Sequence, residues 1–402
     1  MVDEILRISG LKLINNEGPK EYMKKKNILL VEPNYDTPFP PLGLMKISTW
    51  LKSKGHDVRF HKGIKHFNED FDEIYITSLF TYFADEVIDT VKAYKKLYPE
   101  AEIKIGGIMS TLMPKFVKDK TGIMPHLGLL KDAEFCTPDY SYFPQLPYSI
   151  TFTTRGCPNR CQYCSVHKHE PEFFAKEHWE RDIDISKKYI IAWDNNWFAS
   201  PNIAKDVEKF KKFDKIVDFN QGLDCRLFDE DKAKLVSQIR IRPFRFAFDN
   251  MSQDGHIQKA ILLAQKYSIT DIRSYVLYNF TDDPASFYYR INELNKLKTL
   301  SYPMRYRPLH WGEKRLYVNN KWTFERLRAL KLILMFFYYK GMIANNRERF
   351  LTVFGKNSKE FVKRLDKVYE DDMTKYRKRK SEKKEPKETA QELSITNYAR
   401  YK

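Results

Sequence analysis

Residues 149–164 read SITFTTRGCPNRCQYC, a short apolar strand that runs directly into three closely spaced cysteines. Cys157, Cys161 and Cys164 have the spacing C-x3-C-x2-C. Three thiolates on one tight loop can hold three corners of a 4Fe-4S cube and leave the fourth iron without a protein ligand. Gly156, just before the first cysteine, lets the backbone approach such a cluster closely. The segment therefore predicts a metal-binding loop at the end of a strand.

Zinc is the alternative metal for this loop. His167 extends the motif to C-x3-C-x2-C-x2-H, an acceptable set of four zinc ligands. A zinc module is normally a small independent unit, whereas this loop follows the first strand of a long repeating series. We therefore favour the iron–sulfur cluster. Cys136 and Cys225 stand alone, and we expect both to be buried packing thiols.

The chain that follows alternates predicted strands and helices. After the first strand, the strand starts are 27 to 30 residues apart, which is the length of a βα unit. Six such units predict a partial (β/α)6 barrel, in which chemistry is located at the carboxyl ends of the strands. The predicted strands are Ser149–Thr154, Tyr189–Asp194, Ile216–Asn220, Phe244–Asp249, Ile272–Tyr278 and Tyr302–Tyr306.

A smaller α/β region precedes the barrel. Predicted strands at 27–32, 56–60, 73–78 and 102–106 alternate with helical periodicity, which indicates a doubly wound parallel sheet. We divide the chain into an N-terminal extension (1–26), a Rossmann-type domain (27–110), a surface connector (111–148), the partial barrel (149–320), a small helical C-terminal region (321–372) and a basic tail expected to be disordered (373–402).

Composition restricts the class of protein. With 42% hydrophobic and 15% aromatic residues among 402, most of the chain can bury a core and is not disordered. The longest apolar run, residues 332–339, is far shorter than the about 20 residues of a membrane span. The sequence shows no basic segment followed by an apolar one at its start, and five cysteines make no disulfide framework. We expect a cytoplasmic protein without a membrane partner.

The net charge of +17 indicates which partners to consider. Residues 373–402 carry ten Lys or Arg and four Asp or Glu, a local charge of +6, and the remainder of the chain is also basic. Basic surfaces favour nucleic acids or nucleotides, although the same charge serves solubility alone. Arg305 and Arg307, near the last predicted strand, are candidates for contact with an anionic substrate and equally for ion pairs with carboxylates of the barrel.

The cysteine motif at the first strand of a partial barrel, with Tyr163 before the third cysteine, resembles the radical S-adenosylmethionine (SAM) superfamily. The preceding region resembles the cobalamin-binding-type Rossmann domain of one large branch. That second likeness is carried by PPLGL at 40–44, KGHDV at 54–58, and Gly106-Gly107 followed by Pro114. The resemblance extends from residue 27 to about residue 310.

The resemblance implies an enzyme in which Cys157, Cys161 and Cys164 ligate a 4Fe-4S cluster and Tyr163 lies near the adenine of SAM. Reductive cleavage of SAM to a 5′-deoxyadenosyl radical and hydrogen abstraction from a substrate would follow. A low-potential electron donor of flavodoxin or ferredoxin type is the implied partner. The residue that reacts with substrate, and the substrate itself, are not identified by any motif.

The resemblance also implies residues that bind SAM at the ends of the later strands. Asp194, Asn195 and Asn196, at the end of the second strand, would bind the amino group. Arg226 would pair with the carboxylate, since a guanidinium suits that geometry. Asp249 would contact ribose hydroxyls, and Asn279 stands in the fifth-strand motif where the family usually has glycine.

Cobalamin is left open and is not favoured, because the D-x-H-x-x-G motif of corrin-ligating relatives is absent from the Rossmann-type region. The nearest D-x-H, Asp254-Gly255-His256, lies in the barrel. Two other classes compete with the enzyme. One is a zinc-containing nucleic-acid-binding protein, and the other is an iron–sulfur electron-transfer protein without SAM chemistry.

Overall fold

A parallel four-stranded sheet forms the N-terminal part of the structure, a computed structural model that describes residues 24–309, 317–336 and 341–382. The strand order is β2-β1-β3-β4. One face packs against the first helix through Ile28, Leu30 and Leu44, and the other face packs against the second helix. The elements are β1 (Asn27–Glu32), α1 (Leu42–Ser53), β2 (Asp57–Lys62), β3 (Glu73–Ser78), α2 (Ala84–Leu97) and β4 (Glu102–Gly107).

Helices on both faces confirm the doubly wound sheet. The connector that follows is more than a surface segment, because Val117 within it is fully buried in the core beside α2. Apolar residues at helical spacing were too few there to indicate this packing. The connector contains α3 (Ile108–Leu112), α4 (Pro114–Thr121) and α5 (Lys131–Glu134).

The second series of strands and helices has the predicted parallel α/β character. Its strands form two three-stranded sheets in chain order, β5-β8-β9 and β10-β11-β12. Isolated bridges, Val217 with Ile241 and Leu223 with Phe246, join the two. The elements are β5 (Tyr148–Thr151), β6 (Thr154–Arg155), α6 (Val166–His169), β7 (Phe174–Ala175), β8 (Tyr189–Ala192), α7 (Ile203–Phe213), β9 (Ile216–Phe219), α8 (Glu230–Val236), β10 (Phe244–Ala247), α9 (His256–Lys266), β11 (Ile272–Tyr278), α10 (Pro284–Lys296) and β12 (Leu300–Arg305).

The ladder is interrupted between β9 and β10, so the six strands are not one continuous sheet. The interruption coincides with Pro243, which has no N–H to donate to a ladder. Several strands also end earlier than predicted, and Asp194 and Asp249 therefore lie just beyond β8 and β10. Between the strands and their helices is one large aromatic core, in which Trp197 and Phe219 stack at 4.2 Å.

The C-terminal region is helical, as predicted, with α11 (Phe324–Phe336), α12 (Arg347–Phe354) and α13 (Ser358–Glu382). Helix α13 extends ten residues beyond the predicted boundary at residue 372, into the segment expected to be disordered. These residues include good helix formers and no proline, and Arg328 pairs with Asp372 at 2.8 Å just before them. Residues 383–402, and most of the N-terminal extension, lie outside the described residues. Among the described helices, none is both long and apolar enough to cross a membrane.

Two buried glutamates of the N-terminal sheet make the stability of the fold depend on pH, and their two contributions have opposite signs. Burial raises the pKa of Glu32 to about 7, although Lys62 lies 3.5 Å away. Burial also acts on Glu73, but hydrogen bonds from Lys104 and Lys26 outweigh it and lower its pKa to about 2. The folded state therefore binds the Glu32 proton more tightly than the unfolded state, and the Glu73 proton less tightly.

The free energy of unfolding of the wild type should be lower at pH 8 than at pH 5. We expect Glu32→Gln to abolish this difference. In the wild type, the free energy of unfolding falls by up to about 3 kcal/mol as the pH rises through 7 and Glu32 ionises. Urea unfolding at the two pH values measures this. Glu73→Gln is the matched control, since it should lower stability at both pH values by a similar amount. A pH slope that is unchanged in Glu32→Gln would contradict the assignment.

Candidate functional site

The cysteine loop begins at a glycine whose conformation no other residue fits. Gly156 has φ +70°, and a Cβ there would overlap the carbonyl oxygen of Glu172. Its amide donates to Glu170 Oε2 at 2.9 Å. Strands β6 and β7 pair antiparallel and close the base of the loop. We name residues 156–164 the cysteine loop.

The three thiols of the cysteine loop are partly buried and free. The Val166 amide donates to Cys164 Sγ at 3.5 Å, and the Asn196 side chain donates to Cys157 Sγ at 3.7 Å. Burial raises the pKa of Cys157 and Cys164, and the neighbouring Cys161 raises both further. Amide donors aimed at two sulfurs favour thiolates, so the donor set fits a cluster held by three cysteines.

Two further observations concern metals and thiols. In the part of the chain that the structure describes, no three His, Cys, Asp or Glu side chains are arranged as a ready-made metal site. Cys225 is buried, as expected, whereas Cys136 is only partly buried because the loop around Phe135 is exposed. His167 has a buried Nδ1 without a hydrogen-bond partner.

Asp194 holds the chain that leads into the cysteine loop. It is 1% exposed, and it accepts hydrogen bonds from both the amide and the hydroxyl of Thr153 and of Thr154. Three of those bonds fall on Oδ1 and one on Oδ2. Burial raises the pKa of Asp194. In this arrangement Asp194 positions the chain that enters the loop.

Arg226 and Cys157 are brought together by Asn196 and by Asp224, and only Asp224 was not singled out from the sequence. Arg226 forms a two-point ion pair with Asp224, with Nε at 2.8 Å and the second nitrogen at 2.7 Å. Asp224 also accepts from Asn159 of the cysteine loop at 3.0 Å and from Asn196 at 3.3 Å. The guanidinium retains one nitrogen that is free of this pair and can donate to a carboxylate.

The side-chain oxygen of Asn196 accepts no hydrogen bond from the described residues. Its side chain is 2% exposed, and its Nδ2 donates to Asp224 and Cys157, both of which are acceptors. That network fixes the amide orientation and leaves Oδ1 buried with no partner. An unsatisfied buried carbonyl costs about 1–3 kcal/mol, so this oxygen is suited to receive a donor from a bound molecule.

Tyr163 and Asp249 meet across the mouth of the barrel. The phenol donates to Asp249 Oδ2 at 3.1 Å, and the Leu277 amide donates to Oδ1 at 3.2 Å. Burial raises the pKa of Asp249, and burial with the Asp249 charge raises that of Tyr163. The Tyr163 ring lies 5.7 Å from Phe280. Aspartates after β9 and β10 thus each hold part of the cysteine loop, and Asp194 after β8 holds the two threonines that precede it.

Asn195 and Asn279 have structural partners. Asn195 donates to Glu170 Oε2 at 3.4 Å. Asn279 has φ +67°, and it donates to the carbonyl of Tyr317 at 3.1 Å and accepts from the Asn319 amide at 3.0 Å. Glycine at this position in relatives and asparagine here are both compatible with the left-handed backbone, so Asn279 shapes the loop after β11.

A chain of buried charges links the N-terminal sheet to the cysteine loop. Lys46 of α1 lies 3.3 Å from Asp182, and the chain ends at Arg155 and Glu170, 3.2 Å apart, at the base of the loop. We call this set the buried ionic network, and its three cations and three anions are each at most 8% exposed. Its members are Lys46, Glu134, Arg155, Glu170, Lys176 and Asp182.

Comparison with known proteins identifies the fold. No protein-family model and no curated protein sequence matches the chain. Among solved structures, the chain is similar to the radical S-adenosylmethionine methyltransferase TsrM from Kitasatospora setae, solved with tryptophan substrate and the SAM analogue aza-SAM. The TM-score is 0.53 at 12% identity, over 70% of this chain and 73% of that one. Coproporphyrinogen III oxidase from Escherichia coli, described as a radical SAM enzyme, matches at a TM-score of 0.35 and 9% identity, over 48% of this chain and 54% of that one. That second likeness is too partial to carry an argument, and the first shows that the chain has the fold of a radical SAM methyltransferase.

Proposed function

We propose that this chain is a radical SAM enzyme. The observation that carries the proposal is the cysteine loop, which follows the first strand of a parallel α/β series and is held by residues at the ends of the next three strands. The fold shared with a radical SAM methyltransferase supports it. When bound, a reduced 4Fe-4S cluster and SAM supply a one-electron cleavage that yields a 5′-deoxyadenosyl radical for hydrogen abstraction.

The chain's own residues divide into ligands and positioning groups. Cys157, Cys161 and Cys164 would hold three irons. Asn196 Oδ1 would accept from the amino group of SAM, and the free nitrogen of Arg226 would donate to its carboxylate. Charge-assisted bonds of this kind are strong in a site shielded from water.

Tyr163 and Asp249 would line the nucleoside part of SAM, with the phenol keeping Asp249 oriented. Asp194 and Asn195 would act indirectly, because they fix the strands and loop that carry the ligands. Asn279 sets the turn beside them.

The remaining assignments are proposals of the same kind. We propose a cytoplasmic enzyme reduced by a flavodoxin- or ferredoxin-type donor, with an N-terminal domain at 27–110 and a barrel at 149–320. The basic tail would add affinity for polyanions that weakens as salt rises. Cobalamin is not assigned, because the loops after β1 and β3, residues 33–41 and 79–83, contain no histidine to ligate a corrin.

The decisive experiment is anaerobic cluster reconstitution, reduction with dithionite, addition of SAM, and measurement of 5′-deoxyadenosine. Its formation is expected in the reconstituted protein and not in a protein that lacks the three loop cysteines. Iron without any 5′-deoxyadenosine, and without an effect of SAM on the cluster's electron paramagnetic resonance spectrum, would favour an electron carrier.

Zinc remains the second candidate because the His167 Nδ1 is buried without a partner three residues after Cys164. Metal analysis separates the two readings. About four irons with acid-labile sulfide indicate the cluster, and one zinc per chain indicates a structural metal in a nucleic-acid-binding protein.

Asn196→Ala should weaken SAM binding about tenfold and leave the iron in place. The expected size is that of one hydrogen bond to a charged group. A titration of the reduced cluster with SAM, followed by electron paramagnetic resonance, measures the affinity. Asn195→Ala is the matched control, because the neighbouring amide bonds to Glu170 and should change the affinity less than about twofold. Equal effects of the two substitutions would contradict the role of the Asn196 oxygen.

A further inference from the structure

Two arginines at the carboxyl end of β12 have no acidic partner among the described residues. Arg305 is half-buried and donates to the carbonyl of Tyr317 at 2.9 Å. Arg307 is exposed. Burial raises the pKa of Tyr278 to about 12, and both guanidiniums oppose that rise, so both lie near this phenol. Burial lowers the pKa of Arg305, and Arg307 lowers it further. Two neighbouring guanidiniums without a carboxylate form a site for an anion.

Aromatic rings lie directly beside these arginines. The Arg307 guanidinium sits 5.5 Å from the centre of the Tyr82 ring. Tyr82 in turn stacks on Phe80 at 4.9 Å with the ring planes 8° apart. Phe80 is 41% exposed, although it is a large apolar side chain. This ring pair follows β3, so it belongs to the carboxyl edge of the N-terminal sheet.

Aromatic rings also connect the segment that carries these arginines to the cysteine loop. The Tyr306 ring, between the two arginines in sequence, lies 4.6 Å from Phe280, which lies 5.7 Å from Tyr163. Tyr163 stands between the second and third cysteines. A path of ring contacts therefore leads from the cysteine loop to Tyr306, and the next residue in the chain is Arg307, beside Tyr82.

We propose that Arg305, Arg307, Tyr82 and Phe80 bind a nucleotide as the substrate. The proposal rests on the proposed radical SAM function and names the substrate class of that site. Paired guanidiniums match a phosphate group, and exposed stacked rings match a planar base. The phosphate would lie between the arginines and the base against the ring pair, with the sugar directed along Tyr306 toward the cysteine loop.

Equilibrium dialysis with the cluster-loaded, unreduced protein tests this, with SAM present at saturation so that its own site is filled. The probes are UMP and GMP, each compared with its nucleoside and with ribose 5-phosphate. At least one of the two nucleotides should bind. Its nucleoside and ribose 5-phosphate should each bind at least about tenfold more weakly. A pyrimidine decanucleotide of RNA or DNA separates a free nucleotide from one within a strand, because a strand substrate binds more tightly than the monomer. Absence of binding by all of these probes would overturn the proposal.

Variants assign the binding to this surface. Arg307→Gln and Tyr82→Leu should each weaken it about tenfold, and Arg305→Gln should act similarly if circular dichroism shows it folded. Arg240→Gln is the matched control, since it removes the same charge from an exposed arginine paired with Asp214 at 2.9 Å, away from the strand ends. Equal loss in Arg240→Gln would overturn the assignment. Formation of 5′-deoxyadenosine is measured in parallel, so a wild-type protein that cleaves SAM but binds none of the nucleotide probes refutes this inference alone.

Discussion

Replacement of Cys157, Cys161 and Cys164 by Ala is expected to reduce bound iron from about four atoms per chain to none. The reason is that each thiolate holds one corner of the cluster, and the described structure offers no ready-made replacement set of ligands. Single replacements should lose most of the iron and all SAM cleavage. Iron and acid-labile sulfide analysis after anaerobic reconstitution measures the effect.

Cys136→Ala and Cys225→Ala are controls that show whether the loss of a cysteine outside the loop also removes the cluster. Cys225 is 3% exposed and belongs to the aromatic core, and Cys136 lies in the connector. Both variants should keep the cluster. If the triple variant retained its iron, or if the Cys225 variant lost it equally, the assignment of the cysteine loop would be wrong.

Asp194→Ala should lower the free energy of unfolding by about 3 kcal/mol and also release iron. The substitution leaves the amides and hydroxyls of Thr153 and Thr154 without their acceptor in a dry site. Because this pair of residues leads into the cysteine loop, the loop should lose its fixed geometry. Urea unfolding and iron content, measured on the same preparation, report the two effects.

Asp206→Ala is the control that separates stability from loop geometry. Asp206 is also buried, and it accepts from the indole nitrogens of Trp179 at 2.8 Å and Trp197 at 3.1 Å. Its loss should destabilise the protein comparably but leave iron binding intact, since neither tryptophan belongs to the loop. Loss of iron from both variants in proportion to stability would show that Asp194 has no special role in the loop.

Patterns of apolar residues predicted the fold well because strand and helix periods are local properties of the sequence. The alternation of strands and helices, the parallel pairing and the position of the cysteine loop are all present in the structure. The break beside Pro243 and the extension of α13 to Glu382 were missed, because ladder continuity and helix length depend on tertiary contacts.

The site was harder to predict than the fold. Sequence position placed Asp194 and Arg226 at strand ends, but it could not show what their polar atoms contact. Two nitrogens of the Arg226 guanidinium donate to Asp224, two residues earlier in the chain. The Asp194 carboxylate accepts from the hydroxyls of Thr153 and Thr154. The free acceptor of Asn196 follows only from a count of donors and acceptors in three dimensions.

The buried ionic network makes the N-terminal sheet and the barrel interdependent parts and not separable modules. A fragment beginning at the barrel would keep Asp182 and Lys176 but lose Lys46 and Glu134, so that charges removed from water would lack their partners. Broken buried pairs are costly, typically about 3–5 kcal/mol. The two parts are therefore expected to unfold in one cooperative transition, and exchange of the N-terminal sheet for that of another protein would fail unless Lys46 and Glu134 were transferred with it.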